Sequence, residues 1–183
     1  MADYNLERFS VLVVDDNRYL RQLMMLSMKA LGVGIVKQAE HGADAIEALK
    51  LMTVDPVKAG IMSVDMILSN WQMSPVDGMM LLRWVRRSKE SPNRFIPFLF
   101  VTGYADQARV GEARELGVTE MLAKPFSVNT IAEKVMQVIE RPRQFVHTVD
   151  YFGPDRRRKP PVFYDNDRRK LLENDPSVEI VHE

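Results

Sequence analysis

Apolar residues fall in short unbroken runs that alternate with stretches of helical spacing. Ser10–Val14 (SVLVV) stops at Asp15 and Asp16, and such a run suits a parallel strand buried on both faces. Leu20, Leu23, Met24 and Leu31 then recur at helical spacing, and Gly32 offers a stop. Residues 35–38 predict a short second strand, and Ala45, Ile46 and Leu49 a second helix. Residues 64–69 (VDMILS) predict the third strand. A third helix begins near Gly78 and turns Leu81, Leu82 and Val85 inward.

Residues 95–101 (FIPFLFV) predict the fourth strand, with Pro97 near its start. Residues 106–116 predict a helix that Gly117 ends, and 119–123 a fifth strand. Ser127 can cap a last helix with the stripe Val128, Ile131, Val135 and Val138, which Pro142 closes for want of an amide. Five strands alternating with five helices imply an α/β fold, a doubly wound parallel sheet with helices on both faces. The Met- and Leu-rich helical stripes are expected to be core contacts.

The pattern changes after Arg141. Residues 142–183 lack apolar periodicity and carry two basic runs, Arg156-Arg157-Arg158-Lys159 and Arg168-Arg169-Lys170, with acids interleaved. This segment is expected to be an extended charged tail after a domain spanning 8–141, with short docked pieces around Phe145, Tyr151 and Phe152. The run GPDRRRK is read first as a solvated segment, with a docking peptide or an anion contact as the alternative.

With 46% hydrophobic residues in 183, the chain can bury a core of domain size. No cysteine is present, which excludes disulfides, thiolate metal sites and Cys nucleophiles. Charges balance to zero, so no global pull toward nucleic acid or membrane operates. No signal peptide and no bilayer-length apolar run are read, and a cytoplasmic location is expected. His41, His147 and His182 show no metal spacing and are expected at the surface or in loops. Trp71 is expected to be a partly exposed loop aromatic, and Tyr104 to line a pocket mouth or meet a partner.

In an open parallel sheet, ligands bind beyond the carboxyl ends of the strands. The residues there are Asp15 and Asp16 after strand one, Asn70 after strand three, Thr102 after strand four and Lys124 after strand five. Adjacent carboxylates attract a hard divalent cation. A hydroxyl and an ammonium nearby would hold phosphoryl oxygens.

The segments VLVVDDN, ILSNWQMSPVDG, FVTGY and LAKPF resemble the receiver domains of two-component response regulators, over roughly residues 10–140. The resemblance implies a flavodoxin-like sheet of order 2-1-3-4-5. It implies Mg²⁺ at Asp15, Asp16 and the Gln72 carbonyl, with position 70 as a further ligand. Thr102 would be the switch hydroxyl and Lys124 the partner of the phosphorylated site, with a cis bond before Pro125. Met121 stands where many receivers carry a rotating aromatic.

Asn70 departs from that pattern, because the family forms an acyl phosphate on an Asp there. A carboxamide is no useful nucleophile toward phosphorus, since its oxygen is neutral and its nitrogen lone pair is delocalised. Asn also removes a like-charge contact worth up to about 4 kcal/mol at an effective dielectric near 20. The expectation is weaker Mg²⁺ binding and a more stable metal-free pocket. A natural pseudo-receiver that acts as an adaptor and a substitution that locks an inactive state both fit this residue.

The resemblance further implies a sensor histidine kinase or phosphotransfer protein as upstream partner, no enzymatic activity, and output through the face of helix four, strand five and helix five, residues 106–140. A homodimer is a further expected assembly. The roughly forty residues after Arg141 are too few for a DNA-binding domain with its own core.

Overall fold

The computed structural model describes residues 5–59, 63–103, 107–156 and 179–181. Strands β1 (Ser10–Val14), β2 (Ile35–Ala39), β3 (Met66–Asn70), β4 (Phe98–Thr102) and β5 (Glu120–Ala123) form one parallel sheet in the order β2-β1-β3-β4-β5. They are linked by helices α1 (Arg18–Ala30), α2 (Gly42–Val54), the short α3 (Pro56–Ala59), α4 (Gly78–Arg87), α5 (Gln107–Glu115) and α6 (Val128–Glu140). This is the doubly wound sheet that the alternating pattern predicts, with α3 as an unforeseen extra turn.

The central strands β1, β3 and β4 are buried on both faces, and their side chains alternate between two cores. Leu12, Val14, Ile67, Phe98 and Phe100 meet α2, α4 and α5 through Leu49, Leu81, Leu82 and Ala113. Val11, Val13, Leu68, Leu99 and Val101 meet α1 and α6 through Met24, Met28, Ile131 and Val135. Phe98, Phe100, Leu81 and Leu82 are wholly buried, and each such side chain stabilises the fold by about 1.5–3 kcal/mol. Local signals start the helices. Asn17, Asp77 and Ser127 accept from first-turn amides of α1, α4 and α6.

Two strands begin later than the apolar runs suggest. β3 starts at Met66 because the Asp65 carboxylate takes both the Ser10 amide, at 2.8 Å, and the Ser10 hydroxyl, at 2.9 Å. β4 starts at Phe98 because the Arg86 guanidinium donates to the carbonyls of Arg94, at 2.7 Å, and Ile96, at 2.8 Å.

Among the described residues after Arg141, the pieces expected around Phe145, Tyr151 and Phe152 dock as short strands. Strands β6 (Phe145–His147), β7 (Phe152–Pro154) and β8 (Glu179–Val181) form an antiparallel sheet in the order β7-β6-β8. Phe95 bridges it to the domain, with its ring 5.1 Å from Phe145 and 5.5 Å from Phe152. Arg94 lies over the Phe152 ring at 3.9 Å. Gly117 makes room for β7: its φ is +90°, and a Cβ there would lie 2.8 Å from the Phe152 carbonyl oxygen. The tail thus covers the amino-terminal ends of β4 and β5, away from the carboxyl ends where polar residues gather.

Candidate functional site at the strand ends

A cleft of about 510 Å³ opens beyond β1, β3, β4 and β5, lined by Asp15, Asp16, Asn70, Gln72, Thr102 and Lys124, with Asn17, Leu20 and Gly103. All six residues singled out from the sequence therefore share one site. Asp15 and Thr102 are buried, whereas Asp16 and Gln72 are exposed.

The Asn70 carboxamide is the hub. Its Oδ1 accepts from Lys124 Nζ at 3.1 Å and from the Trp71 amide at 2.9 Å. Its Nδ2 donates to Asp16 Oδ1 at 3.1 Å and to the Gln72 carbonyl at 2.7 Å. Two donors face the oxygen and two acceptors face the nitrogen, so the neighbours fix which way round the amide sits. Lys124 also pairs with Asp15 Oδ2 at 3.2 Å. Its backbone amide donates to the Thr102 carbonyl at 2.7 Å, and the Lys124–Pro125 peptide is cis.

Burial pushes the Asp15 carboxyl above its ordinary 3.8, against the lowering effects of the Asn17 amide and the Lys124 ammonium; the Asp16 charge adds to the rise. The site thus holds a buried carboxyl, an exposed carboxylate, an amide and an ammonium around one opening.

Residues 11–136 match the response regulator receiver domain. The chain belongs to that family. The receiver is 27% identical over 135 residues to chemotaxis protein CheY-3 of Vibrio cholerae, covering 74% of this chain and 95% of the relative. It is 30% identical over 129 residues to the CheY homolog of Campylobacter jejuni, covering 70% and 91%. Among solved structures, Vibrio cholerae CheY4 superposes with a TM-score of 0.59 at 26% identity, covering 71% of this chain and 98% of that one. The receiver domain of the histidine kinase CKI1 from Arabidopsis thaliana, complexed with Mg²⁺ and BeF₃⁻, superposes with a TM-score of 0.63 at 26% identity, covering 74% and 93%.

Asp15, Asp16 and the Gln72 carbonyl are the kind of oxygens that a hard cation takes. In this receiver Asp16 and the Gln72 carbonyl already accept from Asn70 Nδ2, and the Asp15 carboxylate accepts from Lys124. An amide N–H₂ donates and cannot ligate a cation. The oxygen set therefore fits a cation only once the Asn70 amide turns its oxygen outward. Among the described residues, no group of three or more His, Cys, Asp or Glu is placed to hold a metal.

Trp71 differs from its sequence reading, whereas His41 and His147 lie in a loop and at the surface as expected. Trp71, expected to be partly exposed, is buried with its ring 4.8 Å from Phe100. The loop after β3 folds back over it, since the Gly78 amide donates to the Trp71 carbonyl at 2.8 Å. His41 caps α2, accepting from the Asp44 amide at 3.3 Å. His147 lies on β6 with its ring nitrogen 3.6 Å from Glu179. Met121 packs partly buried against the core. Tyr104 and His182 lie outside the described residues.

Arg21 and Ser69 were not visible as site residues. The buried Arg21 guanidinium donates to the Asp15 carbonyl at 2.6 Å and reaches Gln38 and Glu40 at the end of β2. Ser69 Oγ donates to the Asn70 carbonyl at 2.8 Å. In the sequence, a charged residue inside an apolar helical stripe was the one signal for Arg21.

Proposed function

We propose that this receiver signals without forming an acyl phosphate, because Asn70 occupies the position at which the family phosphorylates an Asp. The observation that carries the reading is the hydrogen-bond set of the Asn70 amide. Its nitrogen joins Asp16 to the Gln72 carbonyl, and its oxygen joins Lys124 to the Trp71 amide. The pocket is satisfied internally, with no charge demanding a counterion at position 70.

Mg²⁺ would be held by Asp15, Asp16, the Gln72 carbonyl and the turned Asn70 oxygen, more weakly than with a third carboxylate. That the similar Arabidopsis receiver is a Mg²⁺ complex supports Mg²⁺ as the ion. Bound there, the ion would neutralise charge on phosphoryl oxygens. Thr102 would donate its hydroxyl to such an oxygen, and Lys124 would supply the fixed positive charge. Neither provides a nucleophile.

The receiver body, residues 8–141, would then act through protein contacts. A sensor histidine kinase or phosphotransfer protein is the partner class that the pocket side is built to meet. The output surface is α5, β5 and α6, which is the helix four, strand five and helix five face renumbered by the extra α3.

Intact-mass spectrometry after incubation with acetyl phosphate and Mg²⁺ tests the reading. The chain should gain no labile phosphate, whereas Asn70→Asp should gain one. A labile adduct on the unchanged chain would overturn the proposal.

A further inference from the structure

A cleft of about 120 Å³ opens between the edge strand β2, helix α2 and the short α3. Its walls include Leu12, Leu49, Leu51 and Val64, and Lys37 and Lys58 stand beside them. We propose that this cleft binds a small carboxylate with a short apolar chain, the chain inside and the carboxylate at the lysines. The inference is independent of how Asn70 behaves.

The sequence leaves this space open. Leu12 on β1 is paired in register with Lys37 on β2, so both side chains stand on the same face of the sheet. Leu12 is buried in the core beneath α2, whereas Lys37, on the edge strand, is half-buried. An apolar side chain at position 37 would close the core there. The lysine stem continues the wall instead and carries its ammonium toward water. Ala48 on α2 brings only a methyl group to the lining. Leu49 and Val64 are buried, so the base of the cleft is apolar surface that hydrocarbon would cover favourably.

Neither ammonium has a partner of its own. Among the described residues, the side chains of Lys37 and Lys58 make no hydrogen bond or ion pair. No acid lines the cleft. The acids nearest along the chain are turned to other groups or to water. Glu40 pairs with Arg21, Asp55 accepts the Lys58 backbone amide at 3.0 Å, Asp65 accepts from Ser10, and Glu47 is exposed. A lysine on an edge strand also deters pairing with a foreign sheet. That role calls neither for Lys58 nor for the apolar walls.

Size and charge select the ligand. Pockets for drug-sized molecules run to about 300–1,000 Å³, and this one takes a hydrocarbon group of only a few carbons. Apolar contact supplies most of the binding, because exposed ion pairs contribute little. The two ammonium groups then choose the sign of the head group. They favour a carboxylate over an alcohol of the same chain and disfavour an amine.

The test titrates the full chain with sodium hexanoate at low salt, with hexanol and hexylamine in parallel. A chelator keeps cations out of the strand-end pocket. Amide NMR should show saturable shifts at residues 37–38, 48–51, 58 and 64, with a dissociation constant of about 0.1–5 mM. Hexanol should bind more weakly, and hexylamine more weakly still. The Lys37→Gln, Lys58→Gln double variant should lose roughly fivefold in affinity for hexanoate at an unchanged melting temperature. Ala48→Leu, which fills the cleft from the α2 side, should abolish binding. No saturation below about 20 mM would overturn the proposal. So would equal binding of hexylamine or hexanol, unchanged affinity in the double lysine variant, or shifts confined to Asp15, Thr102 and Lys124.

Discussion

The amide nitrogen of Asn70 donates to the Asp16 carboxylate across 3.1 Å, and so joins the end of β3 to the end of β1. An Asp at position 70 would set two carboxylates against each other there. The amide replaces that repulsion with a hydrogen bond, and it uses an oxygen that a cation would otherwise take. The same side chain holds Lys124 on its other edge at 3.1 Å. One residue thereby sets both the charge and the order of the pocket.

Mg²⁺ affinity should rise with Asn70→Asp. The substitution adds an anionic ligand and removes the N–H₂ that competes for Asp16 and Gln72. A gain of roughly tenfold or more is expected from the added charge. Trp71 reports the change, because its amide bonds to Asn70 Oδ1 and its ring packs on Phe100. Equal fluorescence titrations of the two proteins would remove the argument.

Gly78→Ala should disturb the site through the backbone. A Cβ at Gly78 would lie 2.3 Å from the Asn70 carbonyl oxygen and 2.7 Å from the Phe100 ring. Overpacking of this kind costs about 1–3 kcal/mol. A lower denaturation midpoint is expected, together with amide shifts at Asn70 and Trp71. Wild-type stability in this variant would show that the loop has slack.

Phe145→Ala should lower the stability of the receiver body as well as loosen its tail. Phe145 is buried against Phe95 and Phe152, and Arg86 lies over its ring at 5.1 Å. Loss of such a ring costs about 3–5 kcal/mol. Burial pulls the Arg86 guanidinium down to about 9, so opening that site to water has consequences beyond the lost contact. Removing residues 150–183 takes away Tyr151 and Phe152, and should likewise lower the melting temperature while leaving the transition cooperative. An unchanged melting temperature for Phe145→Ala would show that the aromatic cluster adds nothing to the body.

Asp15 should make the receiver gain stability, relative to Asp15→Asn, as pH falls. Its folded-state pKa lies above 3.8, so between the two values the native state holds the proton more tightly than the unfolded chain. Above the folded value, burial of the charge is a constant penalty. Below 3.8 the penalty is gone. Thermal melts from neutral pH down to about 4 should therefore show the difference between the two proteins drifting in favour of wild type. A drift in the opposite direction would mean that Lys124 and Asn17 outweigh burial.

The alternation of apolar runs and helical stripes was legible because both periods are local. Val11 to Val14 and Ile131 to Val138 show their faces within a few residues, and the sheet follows from them. Asp15, Asp16, Asn70, Thr102 and Lys124 were legible for the same reason, since each stands where an apolar run stops. Strand starts were less so, because Asp65 and Arg86 draw β3 and β4 back through hydrogen bonds to residues far along the chain.

What remained was decided by partners that meet only in three dimensions. Trp71 is buried because Gly78 draws its loop inward against Phe100. Arg21 can lie in a core because the Asp15 carbonyl, Gln38 and Glu40 converge on it from two strands. The tail docks because Phe95, Arg86 and Gly117, set in three separate loops and helices, form a receptacle that no local period in residues 142–183 could reveal. The Asn70 side chain stood out in the sequence because the resemblance places an Asp there. That its nitrogen faces Asp16 and its oxygen faces Lys124 follows only from having donors on one side and acceptors on the other, which is a property of the folded pocket.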